Sequence, residues 1–266
     1  MLKNQQLLIN LALWDNGHLQ TLISNPNKPF PFYSPMILDI QRSSQRGKTT
    51  LDWLDSRHSF SFGDYYNPKR RNFGALVVQN DDIIQPSSGF GVHPHRNMEI
   101  ITVMLEGTLK HQDSMGNTGI IQAGEVQVMS AGTGVEHAET NHSKKERVHL
   151  LQIWIQPRVQ NLTPRYEQKK FVLEKNKLNL LVSDSRSKDS LMIAQRAKLL
   201  RGVFDAGQTI LYEPQHENGV YVFVISGKIH SGKEILEFGD ALATDEKVEL
   251  MVNMKADIIV MEVPLQ

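Results

Sequence analysis

Two short segments carry the residue types that metal chemistry needs. Gly89-Phe90-Gly91-Val92-His93-Pro94-His95-Arg96 sets two histidines two residues apart, and Ala131-Gly132-Thr133-Gly134-Val135-Glu136-His137-Ala138-Glu139 repeats that spacing with a histidine and a carboxylate. In an extended chain, residues i and i+2 point to the same face. His93 and His95 are therefore expected to aim into one cavity, with Pro94 biasing His93 toward extended geometry. His137 and Glu139 add a third nitrogen donor and an oxygen donor. Three imidazoles and a carboxylate suit a divalent first-row metal and leave coordination positions open. The chain has no cysteine. Disulfides, zinc–thiolate sites, iron–sulfur clusters and thiol catalysis are thereby excluded, and any metal must be held by His, Asp or Glu.

The other histidines carry weaker signals. His111 and His149 fall in β-like runs, where they either line the cavity or pack. His58 lies in Asp55-Ser56-Arg57-His58-Ser59-Phe60-Ser61-Phe62, an aromatic-rich run that reads as core or as substrate wall. His18, His142, His216 and His230 have no partner pattern and read as structural or solvent-exposed.

The elements that must position these donors are short strands. Phe73–Val78, Glu99–Leu105, Thr108–Gln112, Gly119–Ile121, Glu125–Met129 and Val148–Ile155 are apolar or alternating runs bounded by Gly, Asn and Asp. Such a series predicts an antiparallel sandwich or barrel. Gln156-Pro157 ends it, and the polar stretch from Arg158 to Lys170, with Pro164 inside, reads as a crossing between halves. A second series follows at Asn179–Val182, Thr209–Tyr212, Gly219–Ile225 and Asp257–Glu262. Leu105-Glu106-Gly107 is matched by Ile225-Ser226-Gly227, and Ala123-Gly124-Glu125 by Phe238-Gly239-Asp240. Two copies of one barrel explain the repeat most simply. The second copy has no His-x-His, and His216 stands there without a partner, so that half reads as chemically silent.

Composition sets the outer bounds. The chain has 266 residues, 40% of them apolar, and its 29 basic and 29 acidic residues balance to a net charge of +0. Two domains are the first expectation for that length. A balanced charge gives no field to attract nucleic acid or an anionic membrane surface, and no run is long and apolar enough to span a bilayer. At the N-terminus only Lys3 precedes the apolar residues Leu7 to Trp14, and Asp15-Asn16-Gly17-His18 is a poor cleavage context. A short amphipathic helix ending near Gly17 and a cytoplasmic location are expected instead of secretion. The proline-rich stretch from Asn25 to Pro35 reads as a linker or surface strap, and a β-like run begins at Met36.

The segments Gly89–Arg96, Leu105–Gly107, His111–Asn117 and Ala131–Glu139 together closely resemble the pirin family of the cupin superfamily. Asp55–Phe62 and Thr163–Gln168 resemble its bacterial members. The resemblance runs from about Met36 to the C-terminus and is densest between Leu51 and Phe171. It implies an all-β bicupin of two stacked antiparallel β-barrels, with the metal in the first. The expected division is an N-terminal extension (1–35), a metal-binding barrel (36–160) and a barrel without metal (161–266). By position the family's ligands fall on His93, His95, His137 and Glu139. Many other cupins take their carboxylate at the position of Glu99, but pirin-like proteins take it from the later segment, so the resemblance ranks Glu99 below Glu139. Asn97-Met98 replaces the Gly-Phe of the eukaryotic branch, and Gln122-Ala123-Gly124 lacks the usual proline; neither departure touches a ligand.

The activity that the resemblance implies is that of a quercetin 2,3-dioxygenase. Such an enzyme takes a flavonol and dioxygen, cleaves the heterocycle and releases carbon monoxide. One divalent transition metal per chain is implied, iron ranked first, with Mn, Co, Ni, Cu and Zn also compatible with the donors. Glu139 is expected to serve as ligand and as the base that takes the flavonol 3-hydroxyl proton. The rival reading is a non-enzymatic, redox-sensing regulator that binds protein partners, as in the eukaryotic branch. A third is a metal-storing or structural bicupin. A monomer is the expected oligomeric state.

Overall fold

The computed structural model describes residues 38–266, together with the two-residue strands Trp14–Asp15 and His18–Leu19. Those two strands pair antiparallel with Trp14 opposite Leu19. At Trp14–Asp15 the described chain is therefore strand, where the helix expected to end near Gly17 would have run. The rest of that helix, the proline-rich strap and Met36 lie outside the described residues.

From Leu38 onward the described chain is all-β apart from one 3-10 turn at Ser43–Gln45. It forms a four-stranded, a seven-stranded and a nine-stranded sheet, and each has an open strand order. The four-stranded sheet runs Thr118–Gln122, Thr108–Asp113, Val135–Asn141, Gly89–His95. The seven-stranded sheet runs Arg165–Lys170, Glu125–Ser130, Glu99–Glu106, Val148–Ile155, Leu76–Ile84, Leu54–His58, Gly47–Leu51. The nine-stranded sheet holds the strands after residue 178, and also Leu38–Gln41, which pairs with Ala241–Thr244.

Pairing therefore crosses residues 160/161 in both directions. Leu38–Gln41 sits in the C-terminal sheet, and Arg165–Lys170 pairs with Glu125–Ser130 in the N-terminal one. The stretch read from sequence as a crossing thus contains an edge strand, whose polar residues suit its exposed position.

Strand parity fixes what each face does. On Glu99–Glu106, Ile101 and Val103 enter the large core shared with Tyr221, Phe223, Ile259 and Met261 of the C-terminal half. Ile100, Thr102 and Met104 face the other way, into the N-terminal interior. That interior is not filled by apolar side chains, and the candidate site lies in it.

Candidate metal centre

The donors come from the four-stranded sheet. Val135–Asn141 buries alternate residues, and His137 and Glu139 are on its buried side. His137 is directly opposite His93 on one neighbour and Asp113 on the other, and Glu139 is opposite His111. A register shift between His137 and Glu139 marks a local irregularity in pairing with Gly89–His95. The rings of His93, His95 and His137 converge, with centroids 4.9 Å (93–95), 4.4 Å (93–137) and 4.8 Å (95–137) apart.

Two donor clusters result, each with its ligand atoms within 4.8 Å of one another: His93, His95 and His137, and His111, His137 and Glu139. The four sequence candidates are thus spread over two overlapping clusters that share His137. His111 is the addition. Its Nε2–H donates to Asp113 Oδ2 at 3.1 Å, and Asp113 Oδ1 is held by the backbone N–H groups of Met115 and Asn117 at 3.0 and 2.9 Å. A carboxylate on one ring nitrogen fixes the lone pair on the other, as at many histidine metal ligands. The sequence signal was the i, i+2 spacing of His111 and Asp113, the same spacing as in the two main segments.

The polar atoms fit a cation. His95 Nε2, His111 Nδ1 and both ring nitrogens of His137 are buried without a hydrogen-bond partner among the described residues. Unpaired buried polar atoms are costly, so such a convergence calls for a ligand. His93 Nδ1 donates to the Gly91 carbonyl at 2.7 Å, which leaves Nε2 with the lone pair. Burial, with the neighbouring imidazoles adding to it, pushes His137 down to about 2, and burial with His93 pushes His95 down to about 4. Both are neutral, metal-ready imidazoles near neutral pH.

Glu139 is gripped from the opposite sheet. Gln152 Nε2 donates to its Oε2 at 2.7 Å and Thr102 Oγ1 to its Oε1 at 3.4 Å. Burial, with Asp82 nearby, pushes its carboxyl up to about 7. Glu99 lies elsewhere: it is buried, accepts from Ser130 Oγ at 2.6 Å, and belongs to neither cluster. As an odd-numbered residue of its strand it shares the face of Ile101, directed at the core between the halves.

The donors open into a cavity of about 350 Å³. Trp53, Phe62, Phe90 and Trp154 form apolar walls; Trp154 stands edge-on to His95 at 4.8 Å and Phe62 edge-on to Trp154 at 5.4 Å. His58 lines the cavity, settling its place as wall. His149 does not: its Nε2 donates to Asp81 Oδ1 at 2.6 Å, beside the buried Arg46. His216 is exposed, with Glu217 at 3.9 Å as its ion-pair neighbour. His142 is exposed and His230 half-buried, and neither joins a donor cluster. The side chain of His18 lies outside the described residues.

Comparison with known proteins identifies the family. Residues 39–155 match the pirin family model, and residues 180–263 match that of the quercetinase C-terminal cupin domain. A curated protein of Escherichia coli K12 named quercetin 2,3-dioxygenase is 40% identical over 227 residues, covering 85% of this chain and 98% of its own. The crystal structure of YhhW from Escherichia coli superposes with a TM-score of 0.83 at 38% identity, over 86% of this chain and 98% of that one. A structure of bacterial pirin YhhW in complex with nickel(II) gives 0.82 at 38% identity, over 86% and 99%.

Proposed function

The chain belongs to the pirin family of cupin proteins, and from that premise we propose that it is a metal-dependent dioxygenase that cleaves flavonols such as quercetin, with release of carbon monoxide. The observation that carries this reading is the convergence of unpartnered imidazole nitrogens on an aromatic-walled cavity of flavonol scale. His93, His95, His137 and Glu139 would hold one divalent transition metal per chain, iron ranked first. That metal would supply Lewis-acid activation of the substrate.

The chain's own residues do the rest. Trp53, Phe62, Phe90 and Trp154 take the flat rings and exclude water. Glu139 accepts the proton of the flavonol 3-hydroxyl on a carboxylate oxygen, and Gln152 keeps that carboxylate aimed. We read residues 36–160 as the metal-holding barrel and 161–266 as a second, stacked barrel without metal, in a cytoplasmic monomer whose partners are flavonol and dioxygen.

The test is oxygen uptake and carbon monoxide release with quercetin, on protein of measured metal content. Carbon monoxide should appear in step with oxygen consumed. Fully metallated protein without turnover would overturn the reading and favour the regulator.

A further inference from the structure

One wall of the cavity is polar in a way that the metal does not explain. The strands Leu54–His58 and Leu76–Ile84 pair with Ser56 opposite Asp82 and His58 opposite Asn80. All four residues line the cavity, and all are nearly fully buried. The remaining walls are largely Leu51, Trp53, Leu54, Phe62, Phe90 and Trp154.

His58 Nδ1–H donates to Asn80 Oδ1 at 2.9 Å, and Thr49 Oγ1 donates to His58 Nε2 at 2.8 Å, so both ring nitrogens are used. Ser56 donates its hydroxyl to Asp82 Oδ1. The amide N–H groups of Asn80 and the second oxygen of Asp82 make no hydrogen bond among the described residues. They sit two residues apart on one face of one strand. One donor and one acceptor side by side complement a hydroxyl group, which accepts and donates at once. His58 and Ser56, themselves fixed, hold the two groups in place.

Asp81, on the opposite face, is bonded to His149 and stands 3.6 Å from Arg46. Two consecutive carboxylates thus have different uses: one closes an internal ion pair, and the other faces the cavity.

We infer that Asn80 and Asp82 form a subsite for an aryl hydroxyl, so that the preferred substrates are flavonols hydroxylated on a ring other than the one that reaches the metal donors. This rests on the flavonol reading, and the experiment separates the two. Binding is measured by calorimetry under argon, with metal-loaded protein, for two pairs of probes. Quercetin is compared with 3-hydroxyflavone, which has no other hydroxyl, and 2-naphthol with naphthalene. Wild type should favour quercetin by ~10-fold or more, and 2-naphthol by several-fold, the scale of one or two buried hydrogen bonds. Asp82→Leu should reduce both preferences to below ~2-fold, and Asp82→Asn, which keeps an acceptor oxygen, should retain part of them. Metal content and near-ultraviolet circular dichroism check that each variant is folded; should Asp82→Leu not fold, Asp82→Asn and Asn80→Ala carry the test, with reduced preference expected in both. Absence of any hydroxyl preference in wild type, or an unchanged preference in the folded variants, overturns the subsite. A 2-naphthol preference that depends on Asp82, with no binding of either flavonol, upholds the subsite and overturns the flavonol reading.

Discussion

The two halves of the molecule carry the same cross-strand row filled with opposite chemistry. In the N-terminal half His58, Asn80, Gln152, Thr102, Gln127 and Gln168 face one another in turn across six strands. In the C-terminal half Leu180, Leu200, Val260, Val222, Leu242 and Ile40 do so. The correspondence is positional. Thr102 and Val222 each stand five residues before a hairpin glycine, Gly107 or Gly227, and Gln127 and Leu242 each stand three after Gly124 or Gly239. Gly107 and Gly227 both have positive φ, at 78° and 90°, and a Cβ on either would meet the carbonyl of Arg147 or Lys255 at 2.5 or 2.2 Å. One backbone frame is therefore built twice. From Leu200 to Ile40 the apolar row packs into a solid core; in the N-terminal row His58, Asn80 and Gln152 line the cavity, and Gln152 and Thr102 orient Glu139. His58 is bonded to Asn80, and Thr102 and Gln152 are bonded to Glu139; polar groups held in such bonds resist collapse into the space.

The largest expected contrast is in metal content. Wild type should hold about one metal per chain, and His93→Ala or His137→Ala should lose most of it, since ligand loss empties a site. His216→Ala should change nothing. Two metals per chain, or loss with His216→Ala, would break the contrast between a working and a silent half. Next is the base. Glu139→Gln keeps the shape and an oxygen donor but removes charge and basicity; turnover should fall by ~100-fold or more while part of the metal remains. Equal rates per bound metal in the two proteins would remove Glu139 from the proton transfer.

The candidate donors were legible because the i, i+2 rule acts within one strand. His93, His95, His137 and Glu139 needed no knowledge of register. The choice between Glu139 and Glu99 needed more: Glu99 is in a strand with the right spacing, and only the parity of that strand directs it to the core between the halves. The row through Thr102 and Gln152 was invisible for the same reason, since it depends on the register of six strands. Gly47–Leu51 and Leu54–His58 escaped as strands because Lys48, Thr49, Thr50, Asp55, Ser56 and Arg57 break the apolar pattern. The inner-facing members among them, Thr49 and Ser56, are polar because they line a cavity. Asp82 was hidden in an ordinary-looking Asp81-Asp82 pair whose two members turn to opposite faces.

Exchanging residues between the rows tests whether row chemistry makes the difference. Gln152→Val installs the residue type of Val260 and removes the donor that holds Glu139. Turnover should drop by ~10–100-fold, as for other residues that orient a metal ligand, with the metal mostly retained. Wild-type rates would mean that Glu139 needs no such support. The reverse exchange, Val222→Thr, buries a hydroxyl in a solid apolar core. It should cost about 1–3 kcal/mol in urea unfolding and leave metal content and turnover unchanged.

The smallest effect is a proton count. In the metal-free protein the Glu139 carboxyl is raised to about 7, while His95 and His137 are lowered to about 4 and about 2. At pH 6 those two imidazoles are already unprotonated and release nothing when a cation arrives. Glu139 is still mostly protonated and must give up its proton to become a ligand. Apparent metal affinity should therefore rise with pH up to about 7 and then level off as far as Glu139 decides it. Calorimetric titrations at pH 6, in buffers of different ionisation enthalpy, should show wild type releasing about one proton more than Glu139→Gln. Asp82, also raised to about 7, is present in both proteins and largely cancels in the comparison. Equal proton release would mean that Glu139 stays protonated beside the metal. The cation would then be held by imidazoles alone, and the carboxyl facing the N-terminal row would be a hydrogen-bond donor instead of a base.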